Sequence, residues 1–213
     1  MARRVFSVVA SVVGLVLAAV LVMGLLAPAS AFAGGKHKPR SRSLVLQVDY
    51  NGIPVRAYTV AQLEALAPFA GYAGYLTSYP AVVGPDAVTG VRVTDIVAAA
   101  LGAPLTAGES VDVADADPGD SYDATFSYDQ LVNLTGFAMY DGTSENPVAI
   151  SSLKGPFATL LIYSDPLQRV MPPNRGPLRF VIADATPENV VMWSQDSVYH
   201  VNLLNVIDTG GAR

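Results

Sequence analysis

From residue 44 onward, apolar and polar positions alternate mostly with the two-residue period of strands. Leu44-Val45-Leu46-Gln47-Val48 runs into Asp49, Asn51-Gly52 supplies the positive φ angles of a tight turn, and Ile53 to Tyr58 returns, so the pattern predicts an opening hairpin. Thr59-Val60-Ala61-Gln62 has capping-box spacing and predicts a short helix that carries Leu63 and Leu66 and stops before Pro68. A second helix is predicted over 95–101, with Thr94 as its cap, Gly102 as its stop and Pro104 beyond. Residues 110–114 and 122–126 read as strands around an acidic turn, and Ser127-Tyr128-Asp129-Gln130 repeats the capping-box spacing. The later runs FATLLIY, PLRFVIA, NVVMW and YHVNLLNVI are all strand-like. Strands paired first as a hairpin, with few and short helices, predict a single α+β domain over 43–213.

The chain ahead of that domain has a different texture. Arg3 and Arg4 precede an apolar run over 5–26, and Ala31-Phe32-Ala33 follows, which is the order of charge, apolar core and A-x-A site in a secretory signal. Cleavage is expected after Ala33, making 1–33 a signal peptide. An uncleaved anchor is the competing expectation, because a spanning helix needs only about 20 apolar residues. Arg3-Arg4-Val5-Phe6 fits the core of a twin-arginine signal as well as an ordinary basic n-region. Each of these routes leads to a secreted protein or one on the outer face of the cell envelope. Residues 34–42 place Lys36, His37, Lys38, Arg40 and Arg42 among Gly, Pro and Ser. They read as a flexible tail, either a solvated linker or an attachment to an anionic envelope surface.

Without the two signal arginines, 11 basic residues face 18 acidic ones, a net charge of −7 that would repel nucleic acid. Cysteine is absent, so no thiolate nucleophile or thiolate metal ligand exists. No G-x-S-x-G, G-x-G-x-x-G, P-loop or H-E-x-x-H is present, which leaves the common hydrolase, dinucleotide, nucleotide and zinc readings without support. His200 sits in a strand pattern beside Tyr199 and Val201 and reads as a packed residue. Asp112, Asp115, Asp117, Asp120 and Asp123 are dense enough to suggest calcium, but the glycine falls one place early for an EF-hand and Phe126 stands where its closing glutamate belongs. A solvated turn is the expectation there. Tyr72, Tyr75 and Tyr79 crowd GYAGYLTSYP, where aromatic faces could stack on a flat ligand or pack ordinarily.

Four segments occur in a recognisable order: VTGVRVTDIVAAALG, SVDVADADPGDSYDATFSYDQL, NRGPLRFVIAD and NVVMWSQDSVYHVNL. Together they resemble the sulfite-oxidase-like molybdopterin-binding domain, with Gly176-Pro177-Leu178-Arg179 and Trp193 at matching points. The resemblance implies that family's fold and places cofactor contacts at Ser78, Tyr79, Arg175 and Arg179. It also exposes departures. The family binds molybdenum through a cysteine ahead of the first segment, where this chain has Ser78 and Tyr79 in YLTSYPAVVG. Asn174 and Arg175 replace a histidine before the G-x-P-L-R motif, Ala183-Asp184 replaces a Pro-Gly, and Met192 replaces a lysine that helps hold the cofactor phosphate. The expectation is therefore a domain without cofactor or redox activity, acting as a binding module for a small anionic ligand or an envelope protein. Membrane contact is expected only through an uncleaved N-terminal segment. The alternative is a molybdopterin-dependent oxidoreductase with Ser78 as an oxygen ligand to the metal. Arg175 and Arg179 are four apart and would share one face of an extended strand, suiting a carboxylate or phosphate or else the chain's own acids, such as Asp184 or the cluster from Asp112 to Asp123. Leu178 and Phe180 would face the core.

Overall fold

The opening hairpin forms as its pattern dictates. β1 (Leu46–Tyr50) and β2 (Ile53–Tyr58) pair antiparallel across Asn51 and Gly52, whose φ angles are 50° and 76°. The structure is a computed structural model and describes residues 44–77, 79, 81–115, 123–164 and 178–210. Contacts divide the chain into Met1–Lys38 and Pro39–Arg213, and all the described residues belong to the second unit. The signal peptide and basic tail lie outside them.

Both capping boxes are realised. Thr59 opens α1 (Val60–Glu64), and its hydroxyl and the Gln62 side chain satisfy each other's backbone N–H groups. Ser127 and Gln130 do the same for α3 (Tyr128–Asn133). Between them lies α2 (Val93–Leu101), which starts two residues ahead of the expected helix. Its N-cap is Arg92, not Thr94, and Arg92 makes no side-chain capping bond; Gly102 ends it in the left-handed conformation, as expected.

The remaining strands are β3 (Pro68–Leu76), β4 (Val82–Arg92), β5 (Glu109–Asp115), β6 (Ala124–Ser127), β7 (Met139–Asp141), β8 (Pro147–Val148), β9 (Phe157–Ser164), β10 (Leu178–Asp184), β11 (Val190–Trp193) and β12 (Tyr199–Asp208). All twelve strands of the described residues belong to one sheet, whose main path runs β2-β1-β12-β10-β9-β4-β3-β11-β7-β8, with β5 joining β12 and carrying β6. β10 also pairs with β3 at Asp184 and Tyr72, so β10, β9, β4 and β3 close on themselves.

Strands make up 52% of the described residues and helix 18%, which corrects the α+β expectation to a mainly β fold. The difference comes largely from β3 and β4, the Gly- and Pro-rich stretch that the period-two pattern did not mark. Its glycines serve close approach. At Gly90 an added Cβ would run into the Leu161 carbonyl oxygen of β9, and at Gly71 it would run into the Asp184 carbonyl oxygen at the closure. The core is filled from several strands at once: Phe126 of β6 stacks on Phe180 of β10 at 4.4 Å between ring centroids, and Phe137 lies 5.5 Å from Phe126.

Candidate functional site

Residues 178–184 alternate faces as strand geometry requires. Leu178 and Phe180 are fully enclosed on one face, as expected from their pattern, yet Arg179 on the other face is buried too, at 3% exposure. Its guanidinium carbon sits 4.8 Å from the ring centroid of Tyr75 and 5.6 Å from that of Tyr199. Both contacts place a cation over the negative face of an aromatic ring.

The next residue along β12, His200, meets the Tyr199 ring edge-on, with centroids 5.0 Å apart and planes at 89°. His200 Nδ1 lies 3.4 Å from Asp115 Oδ2 at the end of β5, and both side chains are almost wholly enclosed. The packed position expected for His200 is thus observed, with an acidic neighbour 85 positions away in the chain.

Irregular backbone brings these residues together. The sheet has five register shifts among the described strands, and three fall at this cluster: between Ala73 and Tyr75 on β3, between Leu178 and Arg179 on β10, and between Val201 and Leu203 on β12. His200 itself has φ 60°, in the left-handed region that a histidine rarely occupies. Bulges re-aim side chains out of the regular pleat, and residues in disfavoured backbone regions concentrate where a site needs them. Tyr75, Arg179, Tyr199, His200 and Asp115 are therefore the best-defined candidate site in the described structure.

The other residues singled out from sequence are placed as follows. Tyr79 is 84% exposed, and its carbonyl oxygen accepts from the Thr77 hydroxyl. Ser78 and Arg175 lie outside the described residues, as do Asp117 and Asp120. Asp112 accepts from the Thr125 hydroxyl, and burial first of all pushes its carboxyl upward, with Asp123 adding to the rise and the Thr125 bond opposing it. Asp184 is buried at the far end of β10, where its carboxylate accepts from the Thr186 N–H and hydroxyl. About 16 Å of strand separates it from Arg179, so those two do not form the pair considered from sequence. Among the described residues no cluster of three or more His, Cys, Asp or Glu could hold a metal ion.

Met192 bears most directly on a molybdopterin. It is wholly buried, pairs in register with Tyr75, and its sulfur accepts from the Ile182 N–H at 3.3 Å. A side chain at this position points into the core, and a phosphate anchor here would need a charge inside it. The described residues thus do not fit a pterin anchored as the resemblance implies. Sequence reasoning singled out Tyr75, Arg179 and His200 separately. It missed their meeting, and the Asp115 contact, because no local signal reports pairings between β3, β5, β10 and β12.

No protein-family model matches the chain, and no curated protein matches it either.

Proposed function

We propose that this chain is an exported binding module, related to the sulfite-oxidase-like molybdopterin domains but working without the cofactor, which takes a small carboxylate- or phosphate-bearing ligand beside Arg179. The observation that carries this reading is the convergence of three register shifts and the left-handed His200 on one arginine held between aromatic rings. A guanidinium fixed by ring contacts is preorganised to grip an oxyanion with two parallel hydrogen bonds, and preorganisation lowers the ordering cost of binding. The total absence of cysteine and the core placement of Met192 favour a module over a redox enzyme.

A thermal-shift screen of carboxylates and phosphates tests this, since a ligand that binds only the folded state raises the melting temperature. At least one such anion should stabilise the parent, and Arg179→Lys, which keeps the charge but loses the fork, should remove the effect. A screen in which no anion shifts the parent would overturn the anion site and leave an envelope protein as the partner. Stoichiometric molybdenum in protein made in a cofactor-producing host would replace the module with the oxidoreductase.

A further inference from the structure

α2, α3 and β9 enclose a cavity of about 320 Å³ that shares no lining residue with the Arg179 cluster. Each helix turns one face toward it. On α2, Ala98 lies three and four positions after Asp95 and Thr94, and on α3, Leu131 and Val132 lie three and four positions after Tyr128, the spacings that stack side chains on one side of a helix. The small side chain of Ala98 leaves the space between the helices open.

The lining has two characters. Ala98, Leu105, Leu131, Val132 and Phe157 make it apolar, and Val132 is one of the few large apolar side chains that the described surface leaves open, at 43% exposure. Against this stands one cation and one anion. Arg92 Nη1 lies 3.8 Å from Asp95 Oδ2, beyond hydrogen-bond distance, and the two side chains are 43% and 42% exposed. An exposed ion pair this long contributes little to stability, so a ligand can part it at small cost. The Phe69 ring, 4.9 Å from the Arg92 guanidinium carbon, steadies the cation without using up its fork.

We infer that this cavity binds the zwitterion of an α-amino acid with a large apolar side chain, its carboxylate on Arg92, its ammonium on Asp95 and its side chain against Ala98, Leu105, Leu131 and Val132. Charge complementarity selects that class. A lone carboxylate drawn to Arg92 would meet Asp95, and a lone ammonium drawn to Asp95 would meet Arg92, whereas adjacent opposite charges satisfy both. The hydroxyls of Thr94 and Tyr128 line the same cavity and can add hydrogen bonds to the carboxylate. Its volume is at the small end for ligand pockets, which suits a molecule of this size. The inference concerns a different part of the fold from the ligand site at Arg179 and does not rest on it.

Equilibrium dialysis of the exported protein against labelled L-phenylalanine tests it. Phenylalanine should be retained, unlabelled leucine should compete, and glycine, which lacks the side chain, should not. 3-Phenylpropanoate and phenethylamine keep the ring and one charge each, and both should compete about ten-fold or more weakly, the loss expected for one charge-assisted contact. Asp95→Asn should weaken retention to a similar degree. Ala98→Leu, which fills the cavity at unchanged charge and suits a helix, should keep the parent's melting temperature and abolish retention. The analogue series needs no variant, so it decides the matter even where a substitution disturbs folding. No retention of phenylalanine at millimolar concentration, a one-charge analogue competing as well as leucine, or folded Ala98→Leu protein binding like the parent would each overturn the inference.

Discussion

Arg179 and Tyr199 are partners twice over, cross-strand neighbours in register between β10 and β12 and a guanidinium stacked over a ring at 5.6 Å. Tyr75 holds the same guanidinium at 4.8 Å. Arg179→Ala should therefore cost about 2–4 kcal/mol, from two cation–π contacts and a packed stem, and lower Tm by several degrees. Tyr199→Phe keeps the ring and its contact with the guanidinium, so it should be the more stable of the pair, whereas Tyr199→Leu loses that contact. Denaturant melts of the three variants check this, and an unaltered Arg179→Ala would show that the contacts carry no stability.

Met192→Lys is the direct test of the cofactor argument. An ammonium at a wholly buried position should destabilise the fold by at least roughly 3 kcal/mol, and the protein should gain no molybdopterin. Met192→Leu should cost less than about 1.5 kcal/mol. A well-folded Met192→Lys protein would mean that this position opens to a cavity.

Gly90→Ala should be among the most damaging of the small substitutions, because its Cβ would meet the Leu161 backbone and not a yielding side chain. The expected loss is about 3 kcal/mol, read as an earlier unfolding midpoint at unchanged slope.

Two carboxyls should show opposite pH behaviour. Burial raises Asp196, so the ionised form is the costly one in the folded state: the stability it contributes is complete below the unfolded pKa and is lost as pH rises through the folded one. Asp196→Asn should consequently raise Tm at neutral pH and change it little in strong acid. Asp141 is held low, first by the Ser144 N–H, then by the Thr143 N–H and the Ser144 hydroxyl, and its stabilisation is present above the unfolded pKa and lost as pH falls through the folded one. Asp141→Asn should lower Tm at neutral pH and match the parent in acid. Melting curves from pH 2 to pH 7 would refute either assignment if the difference ran the other way.

What was legible in the sequence was local. Asn51-Gly52 gave the hairpin turn, and Thr59-Gln62 and Ser127-Gln130 gave two helix starts, because in each case the residues that satisfy the backbone are three or fewer positions apart. The later strand runs were readable because their apolar residues are dense, as in β9 and β10. β3 and β4 escaped because glycine and proline count against strands, yet Gly71 and Gly90 are what allow neighbouring backbone to come close. The candidate site escaped for another reason. Asp115, Tyr75, Arg179 and His200 lie on four strands, and their meeting depends on register shifts that leave no trace in composition.

The parallel pairing of β1 with β12, Gln47 to Tyr50 against Leu203 to Val206, sets the order in which this molecule can be finished. Its first strand waits for its last. A chain threaded across a membrane from its N-terminus would deliver the β1–β2 hairpin early, with the Val48 face that the core encloses still uncovered, and would release its inner partner only when residues 199–208 had emerged. Contacts of such long sequence separation form late, since most of the chain must be ordered before they reward it. Completion of the fold is therefore an event of the far side of the membrane for any export route that carries the chain as a thread. The hairpin most in need of shelter during that interval is the one that follows the basic tail.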